Sequence, residues 1–539
     1  MKDTCINITN HLYEFAEKNP EKDALLHPEK VSFAGLCLRI DKYASGFLEN
    51  GIKRGTKTIV LVSPGQDLFA VTYALLRIGA IPIMIDPGMG NRAMARSLSK
   101  TGAEAFIGIP KAHLLRLLFP GSFKSVKKYF SSGLNRILRC VGLRQLRRGK
   151  SSPYEPCLLS PEETAAIFFT SGSTGPAKAV EYGAGVLQAQ IQYMKDHFAY
   201  NPNDVDLCTF PLIGLLVITH GISIVMADMD MTKPKTADPG RLVDNIDQFS
   251  CSTMFCSPMV LEKLANYGMA NNCKLHSLKK VYTAGAPVSP RLLRNFRSLL
   301  DEDAVIHTPF GSTEALSVTD IEERELQVLY KDTSVYLHGI CVGTALKKIE
   351  LRIIEISDVP IGSIEQSSEL KRDAVGEIIV KGPNVTQRYM WNEQANQYAK
   401  IKDEITGMFW HRTGDLGRKD EEGRVWYYGR KSQRVISGGN TYFTIPCEAI
   451  FNQHPAVLRS ALVGVNNNGS VVPTICIELK KGIEKTALLA KDLLTLAKDN
   501  DLTRDLSEIL FHRKFPVDPR HNAKINREKL ALWAQKKLA

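Results

Sequence analysis

No stretch of this sequence is apolar for long enough to cross a membrane as a helix, which takes roughly 20 residues. Leu212–Ala227 is interrupted by His220, and Phe69–Ile85 carries Arg77. The opening residues, MKDTCINITN, lack the apolar core of a secretory signal. Cys-x-x-Cys pairs are also missing: the eleven cysteines lie far apart, so neither a zinc site nor a disulfide framework is indicated and reduced thiols are expected. There is no internal repeat of the length that marks a solenoid. Together these absences lead us to expect a cytoplasmic protein.

The chain is too long, at 539 residues, for one core. Its apolar fraction of 44% and charged fraction of 23% are those of an ordinary globular protein. The net charge of +12 is local, because residues 111–150 hold eleven Lys/Arg and no Asp/Glu. No RNA- or DNA-binding motif accompanies that basic segment, so a specific nucleic-acid partner is not expected. Val126, Phe130, Leu134, Ile137, Leu138 and Val141 fall at helical spacing among its cations. This reads either as an amphipathic helix that lies on anionic lipid or docks a protein, or as an insertion packed on its own domain.

Apolar runs at Thr58–Pro64, Ile81–Asp86 and Ala105–Ile109, with a helix-length stretch at Gln66–Ala80, predict strands alternating with helices in a parallel sheet. The pattern returns at Thr253–Pro258, Lys280–Ala284 and Val305–Thr308, each strand running into a Pro- or Gly-bearing turn. Such turns close the carboxyl ends of strands, where open α/β sheets bind ligands. From about residue 335 shorter alternating segments, such as Lys348–Ile354 and Gly376–Lys381, predict an antiparallel subdomain. A mixed stretch follows Gly429, and a domain boundary is expected near Lys431.

The strongest local signal is Thr170-Ser171-Gly172-Ser173-Thr174-Gly175-Pro176-Ala177-Lys178, directly after the run Phe168-Phe169. Glycines admit an anion close to the backbone, hydroxyls and amides donate to phosphate oxygens, and the lysine adds a point charge. The order of residues is not that of the P-loop NTPases. A flexible linker has similar composition, but a linker rarely follows a buried strand so abruptly.

This loop resembles the signature of the adenylate-forming superfamily of acyl-CoA synthetases, peptide-synthetase adenylation domains and luciferases. The likeness continues in order: Gly285-Ala286-Pro287 at the adenine position, Phe310-Gly311-Ser312-Thr313-Glu314, His411-Arg412-Thr413-Gly414-Asp415, Gly429-Arg430, and Lys524 near the C-terminus. Read singly, Glu314 and Asp415 could be cap or surface acids, Phe310 a core aromatic, and Lys524 a solvated charge. The resemblance implies two doubly wound α/β subdomains plus a small β-barrel-like subdomain in residues 1–430, followed by a small mobile α+β domain, 431–539. It further implies ATP and Mg²⁺ as cofactors. Residues 170–175 and Lys178 would hold the phosphates, Glu314 the Mg²⁺, Phe310 the adenine, and Asp415 and Arg430 the ribose. Lys524, Glu314 and Thr170 form the expected catalytic set, and Lys431 and Ser432 the hinge.

Two departures matter. Ser432 stands where the family's hinge commonly has Asp, and Pro211-Leu212-Ile213-Gly214 replaces the family's Pro-Leu-x-His gate. Ile436-Ser437-Gly438-Gly439 matches CoA ligases and keeps CoA as a candidate acceptor. The segments 85–90, 106–113, 444–452 and 520–530 resemble the β-lactone synthetases of bacterial long-chain olefin biosynthesis. The expected activity is conversion of a long-chain or 3-hydroxy fatty acid to acyl-AMP and pyrophosphate, then transfer to CoA or another thiol. The alternatives are closure of a 3-hydroxyacyl-AMP to a β-lactone and, outside catalysis, a nucleotide-binding scaffold.

Overall fold

The computed structural model of the protein describes residues 5–151, 154–170, 177–331, 337–467, 469–517 and 525–538. The runs read as buried strands form two large sheets. The first orders its strands as Tyr389–Met390, Ala179–Gly183, Thr164–Phe169, Ile81–Met84, Lys57–Leu61, Ala105–Gly108, Lys128–Ser131 and Val141–Gly142. It is parallel except at the edge formed by the first two. The second runs from Val305–His307 through Lys280–Thr283, Thr253–Cys256, Val205–Cys208, Ser223–Met226 and Asp23–His27 to Val31–Ser32, with only the last strand antiparallel.

One apolar core joins the two sheets. The helices Phe33–Glu49 and Gln66–Arg77 supply Phe33, Tyr43, Phe47, Phe69 and Tyr73 to it, all buried. Every residue from Leu68 to Leu76 is buried, which explains the long apolar run there: it is a helix covered on all sides. Among the described residues no helix is long and apolar enough to cross a membrane.

The amphipathic helix considered across residues 126–141 does not form. Lys128–Ser131 is a strand pairing in parallel with Ala105–Gly108, and Phe130 is buried with its ring 5.2 Å from that of Phe47. Leu134 and Arg139 adopt left-handed backbone, with φ of 52° and 51°, which a continuous helix cannot contain. The basic segment therefore extends the first sheet. It still leaves Leu114, Leu117, Leu118, Leu134 and Ile137 exposed.

The antiparallel region consists of a six-stranded sheet, including Gly376–Lys381, Phe409–Lys419 and Val425–Arg430, beside a three-stranded sheet that begins at Phe310–Ser312. The strand path of the larger sheet is open, ending at Ile340–Cys341 and Glu350–Ile354, so no closed barrel is formed among the described residues. From Val435 onward a separate apolar core packs the helices Thr444–Asn452 and Ala487–Lys498 on a sheet of Val457–Asn467, Ser470–Leu479 and Glu508–Phe511.

Candidate active site

A cleft of about 2070 Å³ opens at the carboxyl ends of strands from both sheets. Thr164–Phe169 leads into Thr170, Lys280–Thr283 into Gly285-Ala286-Pro287, and Val305–His307 into Phe310 and Glu314, and all of these turn residues line the cleft. This is where parallel strands leave their loops and where ligands bind. Gly311 is required there by space, since a Cβ would lie 2.6 Å from both the Ala315 carbonyl oxygen and the Ser317 nitrogen. That closeness folds the segment 310–314 back on itself and presents Phe310 and Glu314 to the cleft.

Glu314 is held from two directions. The Tyr389 hydroxyl donates to its Oε1 at 2.6 Å, and the Thr386 amide and hydroxyl each donate to its carbonyl oxygen at 2.9 Å. Cations surround the pair. Lys178 Nζ lies 4.8 Å and Lys400 Nζ 5.7 Å from the centre of the Tyr389 ring. Lys400 is 6% exposed, and its ammonium donates to the Thr386 carbonyl. Burial lowers its pKa to about 7, although Glu314 pulls it upward. Burial, followed by the charge of Glu314, holds the Tyr389 phenol well above its ordinary value. Neighbouring His411 is kept neutral by burial and then by Lys400, and its Nδ1 lies 3.2 Å from the Ala399 carbonyl oxygen.

Close to Glu314 and Tyr389, Asp415 and Arg430 are cross-strand partners, with Arg430 Nε 3.3 Å from Asp415 Oδ1. Arg430 Nη1 donates to the Thr413 carbonyl at 2.9 Å, and its pKa is raised chiefly by Asp415. Gly414, between Thr413 and Asp415, has φ of 71°, so this turn favours glycine. Immediately after Arg430, Lys431 Nζ reaches Glu377 Oε2 at 3.2 Å, and the same oxygen accepts from Arg412 Nη2 at 2.6 Å. Lys431 and Ser432 both line the cleft. Residues 12–390 match the family model described as "AMP-binding enzyme".

The chain belongs to the AMP-binding enzyme family. It is accordingly an adenylate-forming ligase, which activates a carboxylic acid with ATP. It is similar to the olefin beta-lactone synthetase of Stenotrophomonas maltophilia, at 38% identity over 99% of this chain and 98% of that protein. The olefin beta-lactone synthetase of Xanthomonas campestris is 37% identical over 98% of each. An indoleacetate–CoA ligase of Aromatoleum aromaticum is 24% identical over 86% of each chain. In fold it matches ATP-bound MatB from Rhodopseudomonas palustris, with a TM-score of 0.81 and 18% identity over 99% of this chain and all of that one.

The AMP-binding enzyme thus gathers Thr170, Lys178, Gly285, Ala286, Pro287, Phe310, Gly311, Ser312, Thr313, Glu314, Asp415, Arg430, Lys431 and Ser432 around one cleft. Ser171, Gly172, Ser173, Thr174, Gly175 and Lys524 lie outside the described residues. The chain on either side of 518–524 does reach the cleft: Pro516, Val517, Ile525 and Asn526 line it, and the Asn526 amide donates to the Pro516 carbonyl at 2.7 Å. Arg527 clamps this segment through a two-pronged pair with Glu448, at 2.6 and 3.0 Å.

Sequence reasoning missed Tyr389, Thr386 and Lys400. They carry no local signature, and come to Glu314 only because Tyr389–Met390 pairs with Ala179–Gly183 and Arg388 forks onto Glu181. A hard carboxylate oxygen at Glu314, among the cations Lys178, Lys400 and Arg430, suits a divalent cation carried on a polyphosphate. A second cluster is a hydrogen-bonded tie: Asp320 Oδ2 lies 2.9 Å from His197 Nε2 and 2.7 Å from His307 Nδ1, while the His307 ring stacks on Tyr282.

Proposed function

We propose that this enzyme converts a 3-hydroxy fatty acid into a β-lactone by way of its acyl-AMP. The observation that carries this reading is the likeness, at 38% and 37% identity across nearly the whole chain, to two olefin beta-lactone synthetases. The sequence on its own put thioester formation with CoA first; the CoA ligase cited above is more distant, at 24%.

In the first step a carboxylate oxygen of the acid attacks the α-phosphorus of ATP, and the bond to pyrophosphate breaks. Lys178 and the loop 170–175 hold the triphosphate, Asp415 accepts from the ribose hydroxyls, and Phe310 covers the adenine. A Mg²⁺ ion held by Glu314 would screen the phosphate charge when bound. Lys524 bridges carboxylate and α-phosphate, where negative charge gathers as the bond forms. In the second step the C3 hydroxyl oxygen attacks the acyl carbon, its proton is lost to solvent, and AMP leaves. Both steps need the reacting atoms held close and in line, which fixed charges on a rigid floor provide.

The test is a mass-spectrometric product assay with ATP and Mg²⁺, supplying a plain and a 3-hydroxy long-chain acid, each with and without CoA. The expected result is loss of water from the hydroxy acid alone, independent of CoA. A CoA-dependent thioester from either acid would replace this reading with that of a ligase. For the basic segment, the exposed leucines among its cations support peripheral attachment to anionic lipid. Co-sedimentation with anionic vesicles should weaken when Leu117 and Leu118 are changed to Ser, and equal binding would end that idea.

A further inference from the structure

The acyl side of the cleft is lined by apolar residues such as Met194, Phe198, Ile213 and Leu216. Gln190 interrupts it. It lies on the helix Ala184–Asp196 one turn before Met194, so both side chains point from the same helical face into the cleft. Gln190 is only 4% exposed, yet neither its Nε2 nor its Oε1 has a hydrogen-bond partner. An amide left this way costs about 1–3 kcal/mol, so its place in a largely apolar wall calls for a ligand group.

Its position limits which group that is. The Gln190 amide lies close to the Tyr182 hydroxyl, which itself donates to the Thr313 carbonyl. Gln190 is therefore next to the segment 310–314, at the end of the acyl pocket where the carboxyl group meets the nucleotide, rather than along the tail. A neutral amide offers one acceptor and a pair of donors, and a hydroxyl, which both donates and accepts, can use both sides of it where a carboxylate, which only accepts, uses one. We propose that Gln190 reads the C3 hydroxyl of the acid, which sits two carbons from the carboxyl group. A chain without that hydroxyl leaves the amide unpaired and is disfavoured at the activation step. This inference rests on the lactone reading for the identity of the substrate.

The test reads adenylation alone, by ATP–pyrophosphate exchange, as the ratio of kcat/KM for 3-hydroxyhexadecanoic acid to that for hexadecanoic acid. The ratio is internal to each preparation and does not depend on how much of a variant is folded. The wild-type enzyme should favour the hydroxy acid by at least about tenfold, and Gln190→Leu and Gln190→Met should each bring the ratio close to one. A wild-type ratio near one, or a ratio unchanged in both variants, would overturn the assignment. Lactone is scored separately by mass spectrometry: a hydroxyl preference that depends on Gln190 without lactone would sink the proposed second step and leave Gln190 in place. Lactone made without any Gln190 dependence would do the reverse.

Discussion

The two ends of the cleft are built on opposite plans. At the nucleotide end, charges are anchored in pairs: Glu314 by Tyr389, Asp415 by Arg430, and Glu377 by Arg412 and Lys431. At the acyl end the wall is apolar, and its one buried amide is left unmatched. On the proposed reading, the contrast teaches that the ATP site is fixed before its ligand arrives, whereas the acid completes its own site.

Variants can break or sharpen that contrast. The largest effect is expected at Lys524: its replacement by Ala should slow pyrophosphate exchange by about 10²- to 10³-fold with ATP binding largely intact, since charge stabilisation is lost only as the bond forms. Normal exchange in that variant would remove the lysine from the reaction. Next comes Lys400. Its pKa near 7, against an ordinary 10.5, means the unfolded chain holds more protons than the folded one between those values, so stability should rise with pH across that window. Lys400→Met should flatten this slope and gain about 2–4 kcal/mol below pH 7, fading toward pH 10, in denaturant melts of the ligand-free protein. A parallel pair of pH curves would show that Lys400 is already charged and solvated.

Glu314→Gln should raise the Mg²⁺ needed for half-maximal exchange by about tenfold and leave the preference between acids unchanged. A shift in acid preference instead would mean that the two ends are not separable. The smallest effect is at the junction. Lys431→Met leaves Glu377 paired with Arg412 and should cost about 1 kcal/mol, about 1 °C in Tm.

How much of this was legible in the sequence follows from the same contrast. Glu314, Asp415 and Arg430 stand in short motifs whose spacing announces them, and the strands at Lys57–Leu61, Ile81–Met84 and Gly376–Lys381 follow the apolar runs that predicted them. Gln190 and Lys400 looked like ordinary polar positions, because what sets them apart is burial by distant parts of the chain. Of the two readings weighed for 126–141, the amphipathic helix failed for a related reason. Val126 and Phe130 are four apart, as on a helix, but a four-residue strand is too short for its own period to show, and only pairing with Ala105–Gly108 decided the matter.

Asp415 and Arg430 close the floor of the pocket from neighbouring strands, and Lys431 is the very next residue along the chain. With the ribose on Asp415 and Arg430 as proposed, one covalent bond separates the floor beneath it from the first link toward the C-terminal part. On that reading a pull on the link would reach the nucleotide through the single side chain of Arg430, as a latch lifts when its handle turns. That arrangement would give the molecule a short way to couple the state of its nucleotide to the placement of everything that follows.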